Sequence, residues 1–357
     1  MSGVVIVSPG GRAGGGGMGT VTRLVSEWLQ NSGSQASVQV VDPRGDGSTW
    51  LFPFYLMVAL FQILWARIWN GADILHLQVS ERGSFLRKGV ILLLGKSLGM
   101  KTILHHHGAE LITFFQSASP SIQRFTAWIA RLADLNIVLG LHWKSFIVEK
   151  MHVSPDKVVV LYNATTDKPR AQAVFNDGSN LPHLLLMANL SKRKGVSEFL
   201  QSVARIKNDG QHLKVTISGG GSIAHYKAEA AALGIDDVCR FTGWLDPEAA
   251  HGMLLSADAL VLPSYDEGLP MVILEALSAG VPVVATPVGS IPDVLKDEVS
   301  CLFVTPGSVD ELSVALMRVL KDSELRSRLS RNGREIYLEN FNLDDYMRKL
   351  LQLYAAA

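Results

Sequence analysis

The chain has 357 residues, about twice the span of one ordinary domain, so two domains that each bury a core are expected. Apolar residues make up 48% and charged residues 18%, which excludes the profile of a disordered chain. The formal net charge of +0 argues against a dedicated nucleic-acid binder, although residues 1–165 hold 14 Lys/Arg against 9 Asp/Glu and so lean toward an anionic surface or ligand.

The first apolar run, Val4–Val7, follows no basic residue and is too short for a secretory signal, so it reads as a first strand. Further β-branched runs at Val38–Val41, Lys101–His105 and Asn136–Leu139 alternate with helical periods such as Thr20–Asn31 and Ser121–Ala133. A stretch rich in Asn, Asp, Pro and Gly interrupts the pattern at Asn163–Pro182. The alternation then resumes with strands at Leu184–Ala188, Val215–Ser218, Ala259–Leu262 and Val281–Ala285. Strands alternating with helices predict an α/β fold with parallel sheets. The boundaries expected are an N-terminal Rossmann-like domain at 1–165, a second at 166–340, and a C-terminal helix at 341–357. That helix carries Leu343, Met347, Leu350, Leu351 and Tyr354 on one face, which suits packing against a domain surface. Two doubly wound domains joined by a linker are expected to face each other across a cleft, because ligands bind outside the carboxyl ends of the strands. Cys239 and Cys301 are the only cysteines and form no disulfide framework, which fits a reducing, cytoplasmic location.

Three segments carry chemistry. Ser8-Pro-Gly-Gly-Arg-Ala-Gly-Gly-Gly-Gly-Met-Gly-Thr20 follows the first strand and opens a helix, so the backbone at Gly16, Gly17 or Gly19 can approach a diphosphate closely. His105-His-His-Gly-Ala-Glu110 ends a strand, which sends His105 and His107 to one side and His106 to the other. No acidic or cysteine partner stands at ligand spacing, so no metal is expected, and burial of the ring competes with a site role. The stretch Asp266–Ala285 reads as loop, helix, turn and strand, with Pro270 in the first helical turn and Gly280 just past the last. The N–H groups from Gly268 through Leu269 to Met271 and the helix dipole favour an anion or a hydroxyl-rich ligand beside Glu267, with Glu275 further along the helix. On spacing alone, a solvated loop acid and a surface helix residue remain the alternative for these two carboxylates.

The run from Glu267 to Glu275, with Ala279-Gly-Val-Pro-Val-Val-Ala285 behind it, resembles the Glu-x7-Glu signature of retaining glycosyltransferases of the GT-B fold, family 4 (glycosyltransferase group 1). Met187-Ala-Asn-Leu-Ser-Lys-Arg-Lys-Gly195 resembles that family's Gly-Arg-Leu-x-x-x-Lys-Gly segment, and His107-Gly-Ala-Glu110 its His-Gly-x-Asp/Glu element. The resemblance implies that Glu275 bonds the nucleotide ribose, that Glu267 meets the transferred sugar, and that amides at Gly268, Leu269 and Met271 hold sugar hydroxyls or phosphate. It implies that Lys194 neutralises the leaving diphosphate without a metal and that His107 orients the sugar. It also brings Gly16, Gly17, Gly19, Gly219 and Gly220 near the donor, and Trp244 and Leu245 near the base. Asn189 departs from the pattern by standing where the family carries an arginine; either Lys192 or Arg193 supplies that charge, or leaving-group stabilisation is weaker.

The function implied is retaining transfer of a hexose from a UDP- or GDP-sugar to a glycan or lipid-linked acceptor in bacterial-type cell-surface polysaccharide synthesis. No cofactor beyond the nucleotide sugar, no metal and no nucleic-acid partner are expected. The alternative is a catalytically weak nucleotide-sugar-binding or membrane-scaffolding protein of the same fold. The uncharged, apolar stretch from Gly47 to Ala66 approaches the length of a membrane span, but spanning would separate the first two strands from their sheet. It reads either as a buried helix or as a helix lying on an anionic membrane, helped by the mixed basic and apolar segment Arg82–Lys96.

Overall fold

A computed structural model describes residues 3–11, 16–31, 37–45, 49–81, 83–169 and 181–356; Arg82, the glycines at 14 and 15 and the linker positions 170–180 lie outside the described residues. The chain divides into two compact units, one of Met1–Ala164 with Leu343–Ala357, the other of Thr165–Asn342.

The first unit runs β1 (Gly3–Val7), α1 (Gly16–Asn31), β2 (Val38–Val41), α2 (Phe52–Trp69), β3 (Ala72–Val79), α3 (Gly83–Ser97), β4 (Lys101–His106), α4 (Leu111–Ser117), α5 (Pro120–Leu132), β5 (Leu135–Val138), α6 (Leu141–Met151) and β6 (Val158–Val160). Its six strands are parallel in the order β2-β1-β3-β4-β5-β6. Strands covered on both faces are apolar almost throughout, and Val5, Leu75, Leu77 and Leu104 are fully enclosed. Because β1 and β3 pair side by side although α2 lies between them in the chain, α2 does not carry the chain across a membrane.

The second unit runs β7 (His183–Met187), α7 (Val196–Asn208), β8 (Lys214–Ser218), α8 (Ile223–Ala232), β9 (Cys239–Gly243), α9 (Pro247–Leu255), β10 (Ala259–Leu262), α10 (Met271–Ala279), β11 (Val283–Ala285), α11 (Ile291–Val294), β12 (Leu302–Phe303), α12 (Val309–Lys321) and α13 (Ser323–Asn340). Its parallel sheet has the order β12-β11-β10-β7-β8-β9, the Rossmann arrangement in which the chain starts at the centre and builds outward twice. The last helix, α14 (Leu343–Ala356), belongs to the first unit and buries Leu343, Tyr346, Met347, Leu350 and Tyr354. Its start is held by Trp28 Nε1, which donates to Asp344 Oδ1 at 2.6 Å.

Two local readings shift by a residue or two. Pro270 stands just before α10 in extended backbone (φ −70°, ψ 128°) rather than in its first turn, and its carbonyl accepts from Ile273 N at 3.1 Å. Gly280 ends α10 in the left-handed conformation, φ 67°; Val281 N still bonds back to Ala276 O at 2.8 Å, so β11 starts at Val283 and not at Val281.

Candidate active site

In the second unit the strand order reverses between β7 and β10, and in open parallel sheets ligands bind beyond the carboxyl ends at such a point. Both loops leaving these strands carry sequence-predicted site residues. After β7 the chain makes a short 3-10 turn at Lys192–Lys194 and enters α7 through Gly195, whose φ of 65° is left-handed. A side chain on Gly195 would overlap the carbonyl oxygen of Pro263, so the turn lies directly on the backbone leaving β10. Tyr265 N donates to Arg193 O at 2.8 Å, and Arg193 Nη1 donates to Asp266 O.

This contact of two loops brings Lys194, Arg193 and Glu267 together. Lys194 Nζ donates to Glu267 Oε1, Ser264 Oγ donates to the same oxygen at 2.7 Å, and Arg193 Nη1 stands 3.6 Å from Glu267 Oε2. Glu267 is 5% exposed, so it is no solvated loop acid. A carboxylate taken out of water must be paired and hydrogen-bonded, and two cations with one hydroxyl do this here. Gly268 follows, buried, and its carbonyl accepts from Ser290 N at 3.0 Å. The side chains of Leu269 and Met271 are in the core, which leaves their backbone as the part able to meet a ligand. Glu275 is half-buried on α10.

Asn189 belongs to the neighbouring edge. Its Oδ1 lies against the backbone of Gly220 and Gly221, Leu190 N donates to Gly220 O at 2.8 Å, and Gly219 N donates to Gly243 O at 2.8 Å. Gly219 has φ 130° and a Cβ there would overlap the carbonyl oxygen of Ala188, so only glycine closes this loop. Trp244, largely exposed, and Leu245, half-buried, follow Gly243 directly. The carbonyl edges of β7, β8 and β9 thus hold Asn189, Gly219, Gly220, Trp244 and Leu245 in one row. Of the cations considered for the charge that Asn189 lacks, Arg193 is at Glu267, whereas Lys192 is exposed.

In the first unit the strand order reverses between β1 and β3. Gly16 and Gly17 open α1 itself and Gly19 is buried in its first turn, so these glycines present a helix start rather than a loose loop. Thr22 Oγ1 ties that helix to the strands, 2.8 Å from Ser8 Oγ and 2.9 Å from Gln78 Oε1.

The histidine run alternates as expected. His106 Nε2 is 3.0 Å from Asn136 Oδ1 on one side. On the other, the rings of His105 and His107 lie 4.0 Å apart, and His105 Nδ1 is 3.2 Å from His76 Nε2. Burial pushes the imidazoles of His76 and His106 down to about 4. Burial, with His76, His106 and Lys88 nearby, pushes His107 to about 3. Burial and three neighbouring histidines hold His105 well below the usual range. All four are neutral at pH 7. Among the described residues no group of three or more His, Cys, Asp or Glu is arranged to hold a metal ion. The buried atoms His107 Nε2 and, beside Gly108, Glu81 Oε2 have no hydrogen-bond partner among the described residues.

The segment Arg82–Lys96 requires a correction. Lys88 is fully enclosed, bonded to Ser84 Oγ at 2.8 Å and pushed down to about 7 by burial and by Arg87, while Lys96 pairs with Asp134 at 2.5 Å. Packing turns Lys88 inward and Asp134 ties down the partly exposed Lys96, while α3 shows Leu86, Val90 and Leu93 to solvent.

Ser264 and His76 escaped the sequence reading, and Lys88 was read only as part of a mixed basic and apolar segment. Ser264 stands three residues before Glu267, the reach of a hydroxyl across one turn. His76 and Lys88 each interrupt an apolar run, a signal that a buried polar group needs a partner. Tyr354 was read only as part of an apolar face.

Residues 167–336 match the family model of glycosyl transferases, group 1. An uncharacterized glycosyltransferase of Methanocaldococcus jannaschii is 27% identical over 233 residues, 62% of this chain and 60% of that protein. Across the first curated relatives, the chain spans 40% to 60% of their length. Among solved structures, sucrose-phosphate synthase from Thermosynechococcus elongatus superposes with a TM-score of 0.82 at 20% identity, covering 100% of this chain and 99% of that one. Anabaena HepE in complex with UDP-glucose gives 0.79 at 14% identity, covering 100% of both chains. At such identities the likeness is one of fold. The match to glycosyl transferases group 1 covers residues 167–336, just under half of the chain, and the two Rossmann-like units have the GT-B fold of the solved structures they superpose on.

Proposed function

We propose that the chain is a retaining glycosyltransferase that takes a hexose from a nucleoside-diphosphate sugar, UDP- or GDP-linked, and passes it to a glycan or lipid-linked acceptor in cell-surface polysaccharide synthesis. The observation that carries this reading is the buried cluster of Lys194, Arg193, Ser264 and Glu267 at the strand-order reversal of the second unit. As the bond from the anomeric carbon to the diphosphate oxygen breaks, negative charge grows on the leaving phosphate. Fixed cations beside it lower that barrier, and Lys194 and Arg193 supply two without a metal. The acceptor oxygen forms the new bond, and its proton passes to the leaving phosphate. Glu267, held by hydrogen bonds from Lys194 and Ser264 with Arg193 close by, is set to bond the transferred sugar, and Glu275 the ribose. His107, neutral, offers a hydrogen bond rather than a proton.

The HepE complex with UDP-glucose supports a uridine donor by fold likeness. The test is transfer from UDP-, GDP- and ADP-sugars, with the anomeric configuration of the product read by NMR. Native-state stabilisation by one nucleotide sugar accompanied by turnover and retention is the result expected. Binding without turnover would favour the catalytically weak alternative, and an inverted product would overturn retention.

We further infer that the first unit rests on the cytoplasmic surface of a membrane. Helix α2 is the one helix among the described residues long and apolar enough to be considered a span, yet only 17% of it is buried. Phe54, Met57, Phe61, Trp65, Ile68 and Trp69 are exposed on it, Trp65 stacks on Trp69 at 4.3 Å, and Trp50 just before it is 90% exposed. An aromatic apolar face with no charge suits the headgroup boundary of a bilayer, and the basic balance of residues 1–165 suits an anionic leaflet. Flotation with anionic and zwitterionic vesicles tests this. Absence of binding to both at low salt would sink it, and concentration-dependent dimerisation would point to a second copy instead.

A further inference from the structure

The site described above leaves one buried polar chain unused. His76, on the central strand β3, is 1% exposed, and both of its ring nitrogens are engaged. Nδ1 is 2.6 Å from the hydroxyl of Tyr354 on α14, and Nε2 is 3.2 Å from Nδ1 of His105 on β4. Tyr354 is itself 2% exposed and burial raises its pKa, so the phenol keeps its proton. His76 Nδ1 is the one acceptor that hydroxyl has among the described residues.

Donation from Tyr354 gives the phenol hydrogen an acceptor, whereas the reverse direction leaves both that hydrogen and the His105 Nε2 lone pair unpaired. Tyr354 donates to His76 Nδ1, so neutral His76 carries its proton on Nε2 and donates to His105 Nδ1. His105 must in turn carry its proton on Nε2, an atom that is buried and without a partner. The His105 ring also packs against His107, 4.0 Å between centroids, and His107 is the residue at the carboxyl edge whose Nε2 has no partner either.

We propose that Tyr354 is a positioning residue, which through His76 holds His105 in one tautomer and one ring orientation and so fixes the surface on which His107 stands. The consequence for transfer rests on the role given to His107 under the proposed function; the tautomer chain does not. Without the phenol proton, His76 Nδ1 is left unpaired in the core, the two tautomers of the His76–His105 pair become comparable in energy, and the support under His107 becomes heterogeneous.

Tyr354→Phe removes one oxygen and keeps the ring. Tyr346→Phe is the control, since its hydroxyl lies buried on the same helix with no partner among the described residues. Two quantities are read on the full chain: imidazole tautomers from long-range 1H–15N spectra of histidine-labelled protein, and kcat with donor KM. In the wild type, His76 and His105 are expected as single Nε2–H tautomers. In Tyr354→Phe both are expected to become mixtures while kcat falls about tenfold and donor KM holds. Tyr346→Phe should match the wild type in both. A single unchanged Nε2–H tautomer in Tyr354→Phe overturns the proposal, as does unchanged kcat, and a lowered melting temperature with unchanged tautomers marks a purely structural hydroxyl. Failure of the wild type to transfer any sugar overturns the proposed function instead, and the tautomer spectra still decide the chain from Tyr354 to His105.

Discussion

Lys194 and Glu267, 73 residues apart in sequence, share one hydrogen bond, and the carboxylate at its end is almost wholly buried. Each residue is therefore part of the other's environment. Lys194→Ala leaves a buried carboxylate with Ser264 and a more distant Arg193. Turnover is expected to fall about 100-fold or more, and stability by roughly 1–3 kcal/mol. The double variant Lys194→Met/Glu267→Gln removes both charges. It should recover most of the lost stability in urea unfolding while remaining inactive, separating the role in the fold from the role in transfer.

Gly219→Ala should be among the most damaging small substitutions in the second unit. The backbone there has φ 130°, and the new methyl would strike the Ala188 carbonyl. A loss of about 2 kcal/mol or more is expected from urea unfolding. Gly234→Ala, at φ 67° with open space around it, should cost only about 1 kcal/mol.

Acid should weaken the first unit before carboxylates titrate. His76 and His106 are pushed down to about 4 by burial, from an unfolded value near 6.5. The unfolded chain therefore takes up protons first as pH falls. The stability these two histidines contribute is complete above about pH 6.5 and drains away as pH drops toward 4. Between pH 7 and 5 the loss is on the order of 2 kcal/mol for each. Urea midpoints across that range check it, and a flat profile would contradict the buried, neutral state of these rings.

The exposed face of α2 should separate membrane contact from stability. Phe61→Glu with Trp65→Glu changes one side chain largely in solvent and one half-exposed and stacked on Trp69, so folding stability should move by no more than about 1 kcal/mol each. Vesicle flotation is expected to disappear, and transfer to a water-soluble acceptor to persist.

Strands and helices were legible because their periodicities differ, and β2 and β10 fall on the residues expected. Gly280 was legible as a helix stop because little else takes a left-handed φ comfortably. Glu267 was legible as a candidate through its motif. Its burial was not, because burial depends on Gly195 lying against Pro263 and on Ser264 turning inward, both products of loops meeting in space. Lys88 shows the opposite failure. Composition made its segment look like a basic face, yet the side chain points into the core, since a helix facing of one residue in four cannot be read from charge count. The chain from Tyr354 through His76 to His105 joins residues 278 and 29 positions apart, a separation at which local sequence carries no signal.

The return of α14 to the first unit has a bearing on how the chain acquires its structure as it emerges from the ribosome. Tyr354 is the last tie in the polar chain inside the first sheet, and it is synthesised after every residue of the second unit. The second unit, Thr165–Asn342, is contiguous and can close its core on its own schedule. The first must wait, with His76 and the apolar bed for Leu350 unfinished, until α14 has been made. The unit that begins first in the chain is thus the one completed last.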